Sequence, residues 1–236
     1  MRKIFSSLLL TLCFFATGTW ADDYVLALTW QPTFCEIRPT KSEFRTQTRN
    51  RYDAKHLALH GLWPQPRGRD YCGVSKKLQA LDKTGDWARL PEPQLNTIHP
   101  NRLEQLMPGA RSHLHRHEWI KHGTCYGRNA EAYFRDSFRL LLAVNDSLMG
   151  GLFQIHRGKF LSAKAIRGAF DGSFGYGAGD RVEIKCHRDG NRQLIFELRL
   201  HLSGDPSRHS IKQLLHAARP VRAGCKGGIV DPVGNQ

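Results

Sequence analysis

The stretch RVEIKCHRDGNRQLIFELRLHL (residues 181–202) reads as two strands, Arg181 to His187 and Gln193 to Leu202, parted by the turn signal Asp189-Gly190-Asn191. Working outward, Tyr24 to Trp30 alternates apolar residues and predicts a further strand. Helix signals fill the space between. Pro100 and Gly109 bracket a short helix containing Leu103, Leu106 and Met107. Asn129 is placed as the N-cap of a long helix whose Phe134, Phe138, Leu141 and Leu148 share a face, ending at Gly150-Gly151. Ser162 caps another helix through Phe170. Residues 36–55 read as irregular, and Pro91 to Thr97 and Gly172 to Gly179 as loops; the glycine-rich run lacks the GKS/T ending of a phosphate cradle. Helices mixed with antiparallel strands indicate the α+β class: an antiparallel β-sheet with several packed helices in a single domain.

Arg2-Lys3, an apolar run from Ile4 to Phe15 and then small residues form a secretory signal, too short for a span of about 20 residues. Cleavage is placed after Ala21, with Gly18 as the alternative, so residues 1–21 are the signal peptide and 22–236 the functional domain. An N-terminal membrane anchor is the rival reading. Removing Arg2 and Lys3 from the 35 basic residues leaves 33 against 21 acidic ones, a net of +12. Such an excess suits polyanions: nucleic acid, acidic glycans or an anionic membrane surface. Of the six cysteines, five remain after cleavage, in an exported chain where disulfides are favoured.

His117-Glu118-Trp119-Ile120-Lys121-His122 packs two imidazoles, a carboxylate and an ammonium into six positions before Gly123. At about 100° per helical residue, His117, Glu118, Lys121 and His122 fit one arc of about 140°, while Trp119 and Ile120 point into a core. The zincin motif begins the same way but needs its second histidine at i+4, where Lys121 stands. In His56-Leu57-Ala58-Leu59-His60-Gly61-Leu62-Trp63-Pro64-Gln65, alternation buries Leu57 and Leu59 and presents His60 at the strand's end, before Gly61 and Pro64 break it. Trp63 follows as an aromatic plane.

These two segments resemble the active-site segments of the ribonuclease T2 family, and Leu28-Thr29-Trp30-Gln31-Pro32 is similar to its bacterial periplasmic ribonuclease I branch. The resemblance spans Tyr24 to the C-terminus. It implies a disulfide-stapled fold with Cys72 paired to Cys125 and Cys186 to Cys225. Cys35, which has no cysteine among residues 36–59 to pair with, is expected to be a free, buried thiol. It also implies a metal-independent endoribonuclease of single-stranded RNA, periplasmic or secreted. In that scheme His122 is the general base and His60 the general acid, His117 holds the phosphate, and Lys121 and Glu118 stabilise the transition state. Glu118 could instead orient a neighbouring imidazole. The 2′-hydroxyl of RNA attacks its own phosphodiester to give a 2′,3′-cyclic phosphate, then a 3′-phosphate.

For substrate binding, Trp63 is the candidate for stacking on a base, with a core tryptophan as its rival reading. Gln65 stands where some family members carry an aspartate that reads a base, so low base specificity is expected. Tyr71 is a weaker candidate, and no second base pocket is carried over. His113 and His117, at i and i+4, could clasp a metal but lack a third ligand at a convincing spacing, so neither a metal nor any other cofactor is expected. His56 reads as a surface residue, and His99, His115 and His201 have no assigned role. RNA is the expected partner of a monomer that leaves DNA intact and does not associate with membranes once the signal is removed. The rival classes are a catalytically inactive basic protein that binds RNA or glycans, and an exported metallohydrolase built on His113 and His117.

Overall fold

The computed structural model describes residues 23–234; the signal peptide read at residues 1–21 lies outside the described residues. Strand β1 (Asp23–Thr29) leads into α1 (Gln31–Ile37), α2 (Ser42–Arg45), β2 (Ala58–Pro64), α3 (Lys76–Lys83), α4 (Pro100–Leu106) and α5 (Leu114–Lys121). Then come α6 (Ala130–Asn145), α7 (Leu148–Ile155), β3 (Phe160–Ser162), α8 (Ala163–Phe174), β4 (Val182–Asp189), β5 (Arg192–Ser203), α9 (Ile211–Ala217) and β6 (Gly227–Ile229).

The hairpin at residues 181–202 is the spine of the sheet. β4 and β5 pair antiparallel outward from Asp189↔Arg192. On its other edge β5 carries β1, antiparallel from Thr29↔Glu197 to Asp23↔Ser203, and β1 in turn carries β2. The order is β2-β1-β5-β6-β3 with β4 paired to β5, antiparallel among the described strands except where β5 and β6 meet in parallel at Leu194↔Ile229. Leu26 and Leu28 of β1 and Leu198 and Leu200 of β5 are fully buried in one core with Tyr133, Phe134 and Leu141 of α6. Each such leucine contributes about 1.5–3 kcal/mol by leaving water.

Two polar side chains of α6 fix β2 against that core. Tyr133 Oη accepts from the Leu62 amide at 3.2 Å and donates to the Leu62 carbonyl at 3.1 Å. Asn145 accepts from the Leu57 amide at 3.0 Å and donates to its carbonyl at 2.9 Å. Left unpaired in this buried setting, each backbone group would cost about 1–3 kcal/mol. The strand that delivers His60 and Trp63 is therefore held at both ends.

Several expected boundaries shift, each for a local reason. β2 does not end at His60 but runs to Pro64. Ala27 pairs with Gly61 and Leu28 with Leu59, which leaves His60 as the extra residue of a β-bulge. A bulge re-aims the side chain it carries, here without ending the strand. The long helix breaks in two: α6 stops at Asn145, Ser147 caps α7 by accepting from the Met149 amide, and Leu148 is 61% exposed. Gly150 sits inside α7 because a Cβ there would lie 2.0 Å from the Asn145 carbonyl oxygen. That glycine serves a close crossing rather than a helix end. α8 runs past Phe170 to Phe174 and stops at Gly175, whose φ is 100°. Residues 36–55 hold the end of α1, α2 and a short 3₁₀ turn at Tyr52–Ala54.

Cys72 is joined to Cys125 and Cys186 to Cys225, while Cys35 is a buried free thiol whose burial pushes its pKa up to about 12. The first bridge spans 53 residues and ties the loop after β2 to the turn after α5. A closure of that length is worth roughly 4 kcal/mol by restricting the unfolded chain. No helix among the described residues is long and apolar enough to cross a membrane.

Candidate active site

The site forms where β2 passes the C-terminal end of α5. Helical spacing places His117, Glu118 and Lys121 along α5, and His122 is its C-cap, its amide donating to the Glu118 carbonyl at 3.0 Å. α5 begins at Leu114, after a 3₁₀ turn at Pro108–Ser112 and a left-handed His113 at φ 61°. Gly61 lets the helix approach. A Cβ at that position would stand 1.9 Å from Glu118 Oε2 and 2.6 Å from Trp63 Nε1.

Glu118 is 1% exposed. Its Oε2 accepts from Trp63 Nε1 at 2.9 Å, and its Oε1 lies 3.6 Å from His60 Nε2. Burial raises its pKa even though His60, His117, the indole hydrogen bond and Lys121 all pull it down. His60 and His122 both border the Trp63 ring, with centroids at 5.2 and 5.6 Å. His60 reaches the site from β2, and His117, Glu118 and Lys121 reach it from α5.

The two imidazoles sit in opposite electrostatic surroundings. Burial alone would lower the pKa of His60, but a 2.6 Å hydrogen bond to the buried carboxylate of Glu197, together with the charges of Glu197 and Glu118, holds it above the ordinary value. His122 is pushed down to about 3, first by burial and then by the positive charges of Lys121, His117 and His60. Asp70 Oδ1 stands 3.3 Å from His122 Nδ1 without forming a hydrogen bond. Compared with a free imidazole, the first ring holds its proton more tightly and the second more loosely.

His117 is held differently. Its Nδ1 is 2.7 Å from Asp82 Oδ1, and its ring stacks on Trp87 at 4.4 Å and 21°. Trp87 Nε1 donates to the Asp82 carbonyl, and Tyr71 donates its hydroxyl to Asp82 Oδ2 at 2.7 Å. Tyr71 therefore braces the carboxylate behind His117, and it is not among the residues lining the cleft that holds Trp63. Its hydroxyl is thus committed to Asp82, and what it offers a base is the ring itself.

Two cavities meet this site. A cleft of ≈ 460 Å³ is lined by Trp63, Gln65, Arg67, Lys121, His122 and Arg199. Gln65 is in place there, its Nε2 donating to the carbonyls of Trp63 and Pro64. A second cavity of ≈ 230 Å³, lined by Gln31, Phe34, His60, Trp87 and Phe196, had no counterpart among the sequence expectations. Ligand atoms of His117, Glu118 and His122 lie within 4.8 Å of one another, close enough to hold a metal ion; among the described residues that trio forms such a group and the His113–His117 pair does not. His113 is turned toward His115, at 6.4 Å between ring centroids.

Sequence reasoning missed Glu197, Arg199, Asp82 and Trp87. Glu197 is fully buried on β5 between Phe196 and Leu198. A carboxylate between two apolar neighbours was a signal that the position is unusual, though not of which residue it meets. Asp82 gave none, because it lies at the end of a polar helix.

Residues 21–213 match the sequence pattern of the Ribonuclease T2 family. Ribonuclease I of Escherichia coli strain K12 is 29% identical over 235 residues, covering 90% of this chain and 87% of that protein. Japanese pear S3-RNase shares the fold at a TM-score of 0.57 and 18% identity, over 88% of this chain and 98% of the other. RNase NT, solved with 5′-AMP, does so at 0.53 and 18%, over 90% and 98%.

Proposed function

Because the chain belongs to the Ribonuclease T2 family, we propose that this endoribonuclease is an exported enzyme that cleaves single-stranded RNA by transphosphorylation, without a metal and with low base specificity. RNA brings its own nucleophile. Cleavage requires removal of the 2′-hydroxyl proton, protonation of the departing 5′-oxygen and positive charge around the phosphorane. His122 takes the first proton, His60 gives the second, and each transfer is worth about 10²–10⁴ in rate. His117 holds the phosphate, and Lys121 meets charge as it develops. Glu118, hydrogen-bonded to Trp63 and facing His60, stabilises the site without itself transferring a proton.

One observation supports this division most strongly: His60 is hydrogen-bonded to one buried carboxylate and faces another, whereas His122, beside Lys121, is buried with no hydrogen bond at Nδ1 even to nearby Asp70. The cleft containing Trp63 and His122 suits the nucleotide whose 2′-oxygen attacks. The cavity beside His60 suits the nucleoside that leaves. Stacking on an indole tolerates any base, worth about 1–3 kcal/mol, and this supports low specificity. Arg199 already covers one face of Trp63, its guanidinium 5.2 Å from the ring centroid, so a base would stack on the face away from it. RNase NT has been solved with a purine nucleotide, consistent with a nucleotide site on this fold. The signal at residues 1–21 supports export, and the formal charge of +14 supports a polyanionic substrate.

The clustered donors of His117, Glu118 and His122 favour a second reading, a metal-dependent hydrolase. Incubation of mixed-sequence single-stranded RNA with EDTA separates the possibilities. The expected result is fragmentation unaffected by the chelator. Retarded but intact RNA would mark a binding protein, and chelator-abolished cleavage would mark the metal reading.

A further inference from the structure

We propose that Glu197 is a positioning residue that makes His60 the proton donor of the reaction, an inference that rests on His60 acting as general acid. Three imidazoles crowd this site, and nothing in the chemistry of histidine itself sorts them into roles. Their Nδ1 partners do. His117 leans on Asp82, His122 has no hydrogen bond at Nδ1, and His60 donates to Glu197 Oε2 at 2.6 Å. A donor locked at Nδ1 leaves Nε2, on the Glu118 side of a ring that borders the second cavity, as the nitrogen from which a proton can be transferred.

Glu197 is itself immobilised. It is 0% exposed, and its other oxygen accepts from Arg199 Nε at 2.7 Å. The guanidinium of Arg199 lies over the Trp63 ring, and Trp63 Nε1 returns to Glu118. Trp63, Arg199, Glu197, His60 and Glu118 therefore form a closed circuit, and no member can rotate without breaking a contact to its neighbour. A buried carboxylate with two charge-assisted partners is costly to displace. It also holds the imidazolium against the desolvation that would otherwise discharge it.

The charged and titratable groups facing His60 are Glu197 and Arg199 from β5, Glu118 from α5 and His122 at its cap, while Lys121 and His117 act on Glu118 and His122. Across the second cavity stand Arg38, Lys41 and Glu43. Within this set, Glu197 is the carboxylate hydrogen-bonded to the His60 ring, so its removal should act on His60 first.

The test pairs an NMR titration of the His60 ring with the pH dependence of kcat on a dinucleoside phosphate. Glu197→Gln keeps the shape and removes the charge. The His60 midpoint is expected to fall by about one unit, carrying the alkaline limb of kcat with it, so that activity above the wild-type midpoint drops about tenfold while KM stays within about twofold. Arg199→Gln removes a cation that opposes protonation and should move the same midpoint upward. Opposite shifts are not expected of two variants that merely loosen the fold. A folded Glu197→Gln protein with His60 midpoint and alkaline limb unchanged would overturn the proposal, as would a shifted midpoint with an unmoved limb. If Glu197→Gln does not fold, Glu197→Asp retracts the charge and should lower the midpoint by a smaller step; an unchanged midpoint there overturns the proposal too. Should the wild type fail to cleave RNA, the general-acid assignment is lost while the NMR titration still reports whether Glu197 holds the ring.

Discussion

His122→Ala should lower kcat/KM for a dinucleoside phosphate by about 10²–10⁴, and His60→Ala by a similar factor, with the unfolding midpoint changed little in either. In this scheme the neighbours of His122 have other work: Lys121 is a cation, and His117, fixed between Asp82 and Trp87, holds the phosphate. The two losses should nevertheless differ in kind. A uridine 3′-phosphodiester with a nitrophenolate leaving group departs without protonation, so His60→Ala should regain most of its activity on that substrate and His122→Ala should not. Equal impairment of both variants on both substrates would contradict the division of roles. The pH profile carries the same sign. A base must be unprotonated, so activity falls as pH drops through the lowered midpoint of His122. An acid must be protonated, so activity falls as pH rises through the raised midpoint of His60. The limb that disappears in each variant identifies its residue.

Gly61→Ala is expected to cost nearly as much without touching a reacting group. The added methyl would overlap Glu118 Oε2 at 1.9 Å and Trp63 Nε1 at 2.6 Å, and the carboxylate belongs to a rigid helix. Either Glu118 retreats from His60 and Trp63, or β2 moves away from α5. A shift of about 1 Å in such a site costs on the order of 10²-fold in rate. The clash should also destabilise the fold by about 1–3 kcal/mol. Steady-state kinetics and urea unfolding measure both effects. Activity within about twofold of wild type would mean that the contact between strand and helix does not organise the site.

What the sequence disclosed follows from which interactions are local. The hairpin at residues 181–202 was legible because an Asp-Gly turn and its flanking strands are neighbours in the chain, and β4 and β5 fall within a few residues of that reading. The face of α5 was legible because its functional residues lie within one and a half helical turns. Periodicity misled where the chain broke step: Leu148 keeps the spacing of α6, but Ser147 starts a new helix and leaves Leu148 in solvent. The bulge at His60 depends on the register of β1 against β2, which alternation in one strand cannot reveal. Glu197 meets His60 across 137 positions, and Asp82 meets His117 across 35. Such pairings are set by sheet order and loop path, so the imidazoles were readable as a cluster while the carboxylates paired with them were not. Tyr71 shows the same limit, since nothing in the sequence signalled that its hydroxyl would meet Asp82.

The most direct test of self-cleavage at the 2′-oxygen is phosphorus NMR of a ribodinucleoside phosphate incubated with the protein and EDTA, beside its 2′-deoxy counterpart. The expected spectrum shows a 2′,3′-cyclic phosphate appearing first and a 3′-phosphate replacing it slowly, with the deoxy compound untouched. A 5′-phosphate product, or cleavage of the deoxy compound, would contradict it.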